Sequence, residues 1–212
     1  MDESWRLMRF ELDGKWSAEE FGQLFVSLSN LYDLRMFLAL LREDIGEWER
    51  YYQGFLDFPP SVRRRIRRYP YRTLFPFWQQ LPNLDDSYLS RLSELIAPEE
   101  RLRVRQIDYA SPGITDLTGM GEVVGHLKDL VLRLIERRDE KRSRDLSEER
   151  AALENERLRI ANARKFVALG RELGYSKTEL RRLIRHVDEK QDPIIRLISQ
   201  RKLLNVSIKD EQ

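Results

Sequence analysis

The fold turns on Arg101–Gly125, "RLRVRQIDYASPGITDLTGMGEVVG". Its first part alternates: Leu102 and Val104 fall on one side of an extended chain, Arg103, Arg105, Ile107 and Tyr109 on the other. That is a strand pattern. Ser111-Pro112 then reads as a helix start, a capping hydroxyl followed by proline at the first helical position. From there Leu117, Met120, Val124, Leu127, Val131 and Leu134 recur every three or four residues, as on one face of a helix. Gly119, Gly121 and Gly125 lie inside that pattern. An interior glycine costs a helix about 1 kcal/mol. Three of them mean either close packing against another backbone or a helix that begins later.

Towards the N-terminus, "SWRLMRFELDGKW" (Ser4–Trp16) reads as a second strand, with Met8, Phe10 and Leu12 on one face and Arg9 and Glu11 opposite. Asp13-Gly14 makes a turn. Ser17 and Glu20 form a capping box. Phe21, Leu24, Phe25, Leu28 and Leu31 then mark a helical stripe that Leu34, Phe37, Leu38, Leu41, Ile45 and Trp48 continue, as one long helix or two joined near Gly46. Pairing the two strands gives a small sheet whose free edges invite another chain.

Between these halves lies "VRRRIRRYPYRTLFPFW" (Val62–Trp78), with six arginines, five aromatics and no acid. Pro59, Pro60, Pro70, Pro76 and Pro82 exclude a continuous helix here. Asp85 or Asp86 caps a short helix with Leu89, Leu92 and Ile96 on its apolar side.

Beyond Glu136 the helical pattern loses apolar content: "ERRDEKRSRDLSEERAALENERLRI". Leu146, Leu153, Ile160 and Val167 recur every seven residues, but the companion positions are charged or small. A dimeric coiled coil wants both positions apolar. The segment therefore reads as an exposed charged arm held by Glu/Arg pairs or as a self-associating coil. Gly174 ends it. Ser176 and Glu179 form a second capping box, Leu180, Leu183, Ile184 and Val187 line the next helix, and Asp192-Pro193 starts the last. The tail "NVSIKDEQ" reads as frayed. The phrase "LGYSKTELRRLI" (Leu173–Ile184) is similar to a short phrase in the DNA-binding domains of MerR-type regulators. The upstream recognition helix of that family has no counterpart here, so no function follows from the likeness.

The expected fold is mainly α (α+β): a small two-stranded β element with long helices, an extended charged helical arm and a C-terminal helical hairpin. Residues 1–135 form the α+β body and 136–212 the arm and hairpin.

Charged residues make up 35% of the 212, yet the net charge is only +2. The basic stretch thus sits on a mildly acidic remainder, a local patch and not a polyelectrolyte. The chain has no cysteine, which excludes disulfides, thiolate zinc sites and cysteine nucleophiles. No signal-peptide plan opens the sequence, and no uninterrupted apolar run approaches the ~20 residues that span a bilayer. A soluble, cytoplasmic protein is expected.

Concentrated chemistry is scarce. His126 and His186 lie in helical runs without a carboxylate cluster beside them, so no metal is expected. "GMGEVVG" is one residue off G-x-G-x-x-G and lacks a phosphate-loop lysine. "ELDGK" (Glu11, Asp13, Lys15) offers two acids and a lysine in the manner of some metal-dependent nucleases, without a second acidic cluster. No cofactor and no catalytic residue is expected.

The leading expectation is a non-enzymatic oligomerising or adaptor protein, a homo-oligomer with protein partners. Leu146, Leu153, Ile160 and Val167 would be its oligomer contacts. The alternative is a nucleic-acid-binding protein. In either case Arg63, Arg64, Arg65, Arg67, Arg68, Tyr69, Tyr71 and Arg72 form the contact surface, because arginine binds phosphate and aromatics stack on unpaired bases. The prolines break any long amphipathic helix, which counts against a membrane surface.

Overall fold

The computed structural model describes residues 5–56, 81–108, 112–143, 161 and 163–209. In chain order these form β1 (Trp5–Leu12), α1 (Ala18–Leu56), two short helices α2 (Asp86–Leu89) and α3 (Leu92–Leu95), a 3-10 turn at Pro98–Glu100, and β2 (Arg103–Asp108). Then come β3 (Gly113–Met120), α4 (Gly121–Ser143), α5 (163–172), α6 (Lys177–Ser199) and β4 (Leu203–Lys209).

The expected two-stranded element is corrected to a four-stranded antiparallel sheet of order β2-β3-β1-β4. The fold is mixed α+β and follows the split βαβ plan. The two strands expected to pair are not neighbours, because β3 lies between them. Ile114, Thr115 and Thr118 are β-branched, and such residues fit a pleated strand. Along β3, Thr115 and Leu117 face the core beside Phe10 and Met8 of β1, in register Phe10↔Thr115 and Met8↔Leu117. The helix therefore begins at Gly121, directly after Met120 with no loop.

The tail expected to fray is β4. Its Val206 and Ile208 pair with Phe10 and Met8, so they fall on the same face. The chain enters β4 by a helix cap in which Lys202 N–H bonds the Leu197 carbonyl at 2.9 Å and Arg201 N–H the Ile198 carbonyl at 3.0 Å. Arg201 sits at φ 59°, the left-handed position this cap requires.

The expected hairpin break at Asp192-Pro193 does not occur: α6 runs through Pro193. Pro193 leaves the Glu189 carbonyl without its helical N–H partner. The buried stripe Leu180, Leu183, Val187, Gln191, Ile194, Leu197 and Ile198 continues across it, and that burial outweighs the loss. Both capping boxes form, at Ser17/Glu20 and Ser176/Glu179. Gly174, at φ 91°, turns α5 back towards α6.

From Ala163 onward the charged arm does not project. Ala163, Phe166, Val167 and Leu169 of α5 are buried in the same core as Met8, Phe10 and Leu28. Leu146, Leu153 and Ile160 lie outside the described residues. Residues on both sides of position 135 thus share one core.

α4 lies against β1, β3 and β4, and α1 packs on α4, α6 and α3. Every residue from Leu31 to Ala39 in α1 is buried, including Asp33 and Arg35. A helix buried on all sides reads as apolar throughout. That is why Ala18–Glu43 has the length and composition of a membrane span, although 72% of its apolar window is buried inside the protein.

Tyr32 of α1 fixes this helix to the sheet. Its hydroxyl donates to the Glu100 carbonyl at 2.8 Å and accepts from Met120 N–H at 2.9 Å. Gly119 provides the seat, since a Cβ there would lie 2.8 Å from the Tyr32 ring. Tyr32→Phe should lower stability in urea unfolding by about 1–3 kcal/mol, because it leaves the Met120 N–H buried and unpaired. Gly119→Ala should cost a similar ~1–3 kcal/mol through overpacking.

Candidate functional site

Two features stand out among the described residues: the outer edge of β2, and a cationic cluster between α1, α4 and α5.

β2 ends the sheet, and all six of its residues are exposed. Two are large and apolar, Val104 at 49% and Ile107 at 48% exposed. Residues three apart on a regular strand point to opposite faces. Here the register shifts between Val104 and Gln106, so that Val104 pairs with Leu117 and Ile107 with Thr115. Leu117 and Thr115 both face the helices. The bulge therefore places Val104 and Ile107 on one face, the helix side, where each is half exposed. Arg103 and Asp108 pair with Thr118 and Ile114 and so occupy the opposite face. Arg103 lies 5.1 Å from the Trp5 ring centroid and donates through Nη2 to the Glu99 carbonyl at 3.0 Å. On the same face Arg9 of β1 grips Asp116 of β3 with two hydrogen bonds, Nε to Oδ1 at 2.7 Å and Nη2 to Oδ2. That bond raises the Arg9 pKa.

The cationic cluster starts from Arg35, whose side chain is 6% exposed. Its Nη2 donates to Glu122 of α4 at 2.7 Å. Its Nε and Nη1 have no hydrogen-bond partner among the described residues. Arg133 and His126 of α4, Lys165 and Phe166 of α5, and Leu130 line the same small cavity, about 10 Å³. Lys165 Nζ lies 3.3 Å from Asp129 Oδ2 and 3.5 Å from His126 Nδ1. Lys128 shares Asp129 at 3.0 Å. Burial first, then the charges of Arg35 and Lys165, push the His126 pKa down to about 4. Burial lowers that of Arg35 too, helped by Arg42 and opposed by Glu122 and Glu172.

Of the residues singled out in sequence, Arg63, Arg64, Arg65, Arg67, Arg68, Tyr69, Tyr71 and Arg72 lie outside the described residues. Val167 is buried in the chain's own core. Asp13, whose likeness to a metal-dependent nuclease site was set aside above, accepts the Gly14 N–H at 2.7 Å and so shapes the turn. Among the described residues no group of three His, Cys, Asp or Glu could hold a metal ion. Sequence reading passed over Arg35, whose sign was available: a lone arginine at an otherwise apolar helix position. The bulge in β2 leaves no such trace. No protein-family model, curated protein or solved structure matches the chain.

Three titrating groups, the buried Asp33 and the half-buried His126 and His186, set an acid limb. His126 and His186 have pKa values pushed down from 6.5 to about 4, chiefly by burial. Unfolded, they take up protons near 6.5, so stability falls as pH drops from 6.5 towards 4. Asp33 acts the other way, since burial pushes its pKa up from 3.8 to about 6. Folding there favours the protonated acid, so its contribution declines as pH rises from 3.8 to 6. Two histidines outweigh one aspartate, and the urea midpoint should fall on acidification below pH 6.5. His126→Gln/His186→Gln should flatten that limb, and Asp33→Asn should steepen it.

Proposed function

We propose that the chain is a non-enzymatic, cytoplasmic oligomerising or adaptor protein, and that it self-associates through β2. The observation that carries this reading is the self-complementarity of "RVRQID" on the bulged edge strand. Two copies of β2 set antiparallel about a two-fold axis between Arg105 and Gln106 bring Arg103 opposite the partner's Asp108. Val104 comes opposite the partner's Ile107. The axis stands perpendicular to the sheet, so each residue meets one on its own face, and the bulge is what makes that hold for Val104 and Ile107. Each contact occurs twice, as in any isologous interface. Cross-strand pairs of opposite charge and of β-branched side chains each favour association. An exposed edge strand is the ready place for it.

A six-residue ladder is smaller than a standard permanent interface, so the dimer is concentration-dependent. This suits an adaptor that assembles and comes apart. The nucleic-acid reading of Arg63–Arg72 rests on composition alone.

Analytical ultracentrifugation over a dilution series tests the proposal. Wild type should pass from monomer to dimer with rising concentration. Ile107→Asp should weaken the dimer by about tenfold or more, because it sets a charge against the partner's Val104. Asp108→Arg should weaken it as well, and Arg103→Asp/Asp108→Arg should restore it, since the swapped charges are again opposite. A wild type that stays monomeric throughout, or an Ile107→Asp variant that dimerises like wild type, contradicts the proposal.

A further inference from the structure

We propose that the cavity between α1, α4 and α5 is a binding site for a phosphate-type oxyanion, held by Arg35, Arg133 and Lys165. Three cations line the cavity, and the carboxylates touching them are Glu122 on Arg35 and Asp129 on Lys165. Asp129 is shared with Lys128, and Glu122 has Arg42 at 4.0 Å as well. Positive charge is in excess.

The second observation is Arg35 itself. A guanidinium is never deprotonated at ordinary pH and carries five N–H donors. Here the side chain is 6% exposed, and among the described residues only its Nη2 is bonded. Leaving buried donors of a charged group unmade costs more than leaving neutral ones. An acceptor-only ligand in the cavity removes that cost; among the described residues Glu172 attracts Arg35 through space but accepts no hydrogen bond from its Nε or Nη1.

The third is His126. Partly desolvated, and beside Arg35 and Lys165, it stays neutral at physiological pH, and so can offer a ring N–H without adding to the repulsion. The lining therefore combines fixed charge from a rigid, buried arginine with two cations nearer the surface. Lys165 is 36% exposed and can swing to admit a ligand. The cavity as it stands holds about one water-sized group. The ligand places a single oxygen in it, and Arg133 and Lys165 close on the remaining oxygens. Arginine and lysine together are the usual recognition chemistry for phosphate, one as a planar donor and the other as a mobile point charge.

Thermal unfolding of the full chain, with sodium chloride exchanged stepwise for inorganic phosphate at constant ionic strength, tests the site. Wild type should show a saturable rise in Tm. Arg133→Gln and Lys165→Gln, both at partly exposed positions, should unfold like wild type in chloride and require about tenfold more phosphate for the same rise. Wild type alone supplies a second reading: phosphate should shift the ring nitrogen resonances of His126 and leave those of His186 in place. A parallel titration with adenosine monophosphate separates the sources. Binding of the free ion alone assigns inorganic phosphate, and tighter binding of the nucleotide assigns a phosphate carried on a larger molecule. No saturable response in wild type overturns the proposal, as does a phosphate response equal in wild type and both variants.

Discussion

The Tyr32 hydroxyl is the point on which the rest of the structure depends. It sits in the middle of α1, is buried, and makes both of its hydrogen bonds to backbone: the Met120 N–H at the end of β3, and the Glu100 carbonyl just before β2. One side chain thereby ties the central helix to the strand–helix junction and to the segment that delivers β2. The bonds are strong because the site is dry, and costly to lose for the same reason. Burial pushes the hydroxyl's pKa up to about 12, so it stays a donor at neutral pH. Gly119 is small because the ring lies over it. Met120 must end β3 where it does, and α4 must then start at once. The length of β3 sets the register of β1 beside it, and β1 in turn aligns β4.

The helix that carries Tyr32 also carries two buried charges, Asp33 and Arg35. They lie on different sides of α1 and have different fates. Arg35 is compensated in part by Glu122, whereas burial pushes the Asp33 pKa up to about 6, opposed by the charge of Arg101 and by the Ser29 hydroxyl at 3.5 Å. Buried ionic groups seldom add stability over apolar ones of similar size. Their presence on the most enclosed helix of the fold is better explained by what they hold or select than by what they stabilise.

Much of this was legible in the sequence, and the omissions have physical causes. β1, the start of α1, both capping boxes and the turn at Gly174 rest on short-range rules that burial does not override. β3 was hidden by coincidence. Leu117 and Met120 are three apart and line up with the real stripe of α4, although Leu117 faces the core as part of a pleat. Gly119 and Gly121 were the warning, and the later helix start they allowed is the correct one. β4 was hidden because a short edge strand of mixed polarity gains its order from β1, which is remote in sequence. Pro193 misled because propensity is local and the buried stripe of α6 is not. At the sites, the arginine-aromatic stretch drew the eye by composition, while the charge palindrome in β2 takes its meaning from a bulge that only pairing with β3 creates.

The central claim is that β2 is the working edge of the sheet. Amide hydrogen exchange followed residue by residue at low and high protein concentration tests it most directly. The account predicts that protection of Arg103–Asp108 rises with concentration while that of Trp5–Leu12 and Leu203–Lys209 stays constant. Equal exchange along β2 at both concentrations, or a rise confined to β4, would contradict it.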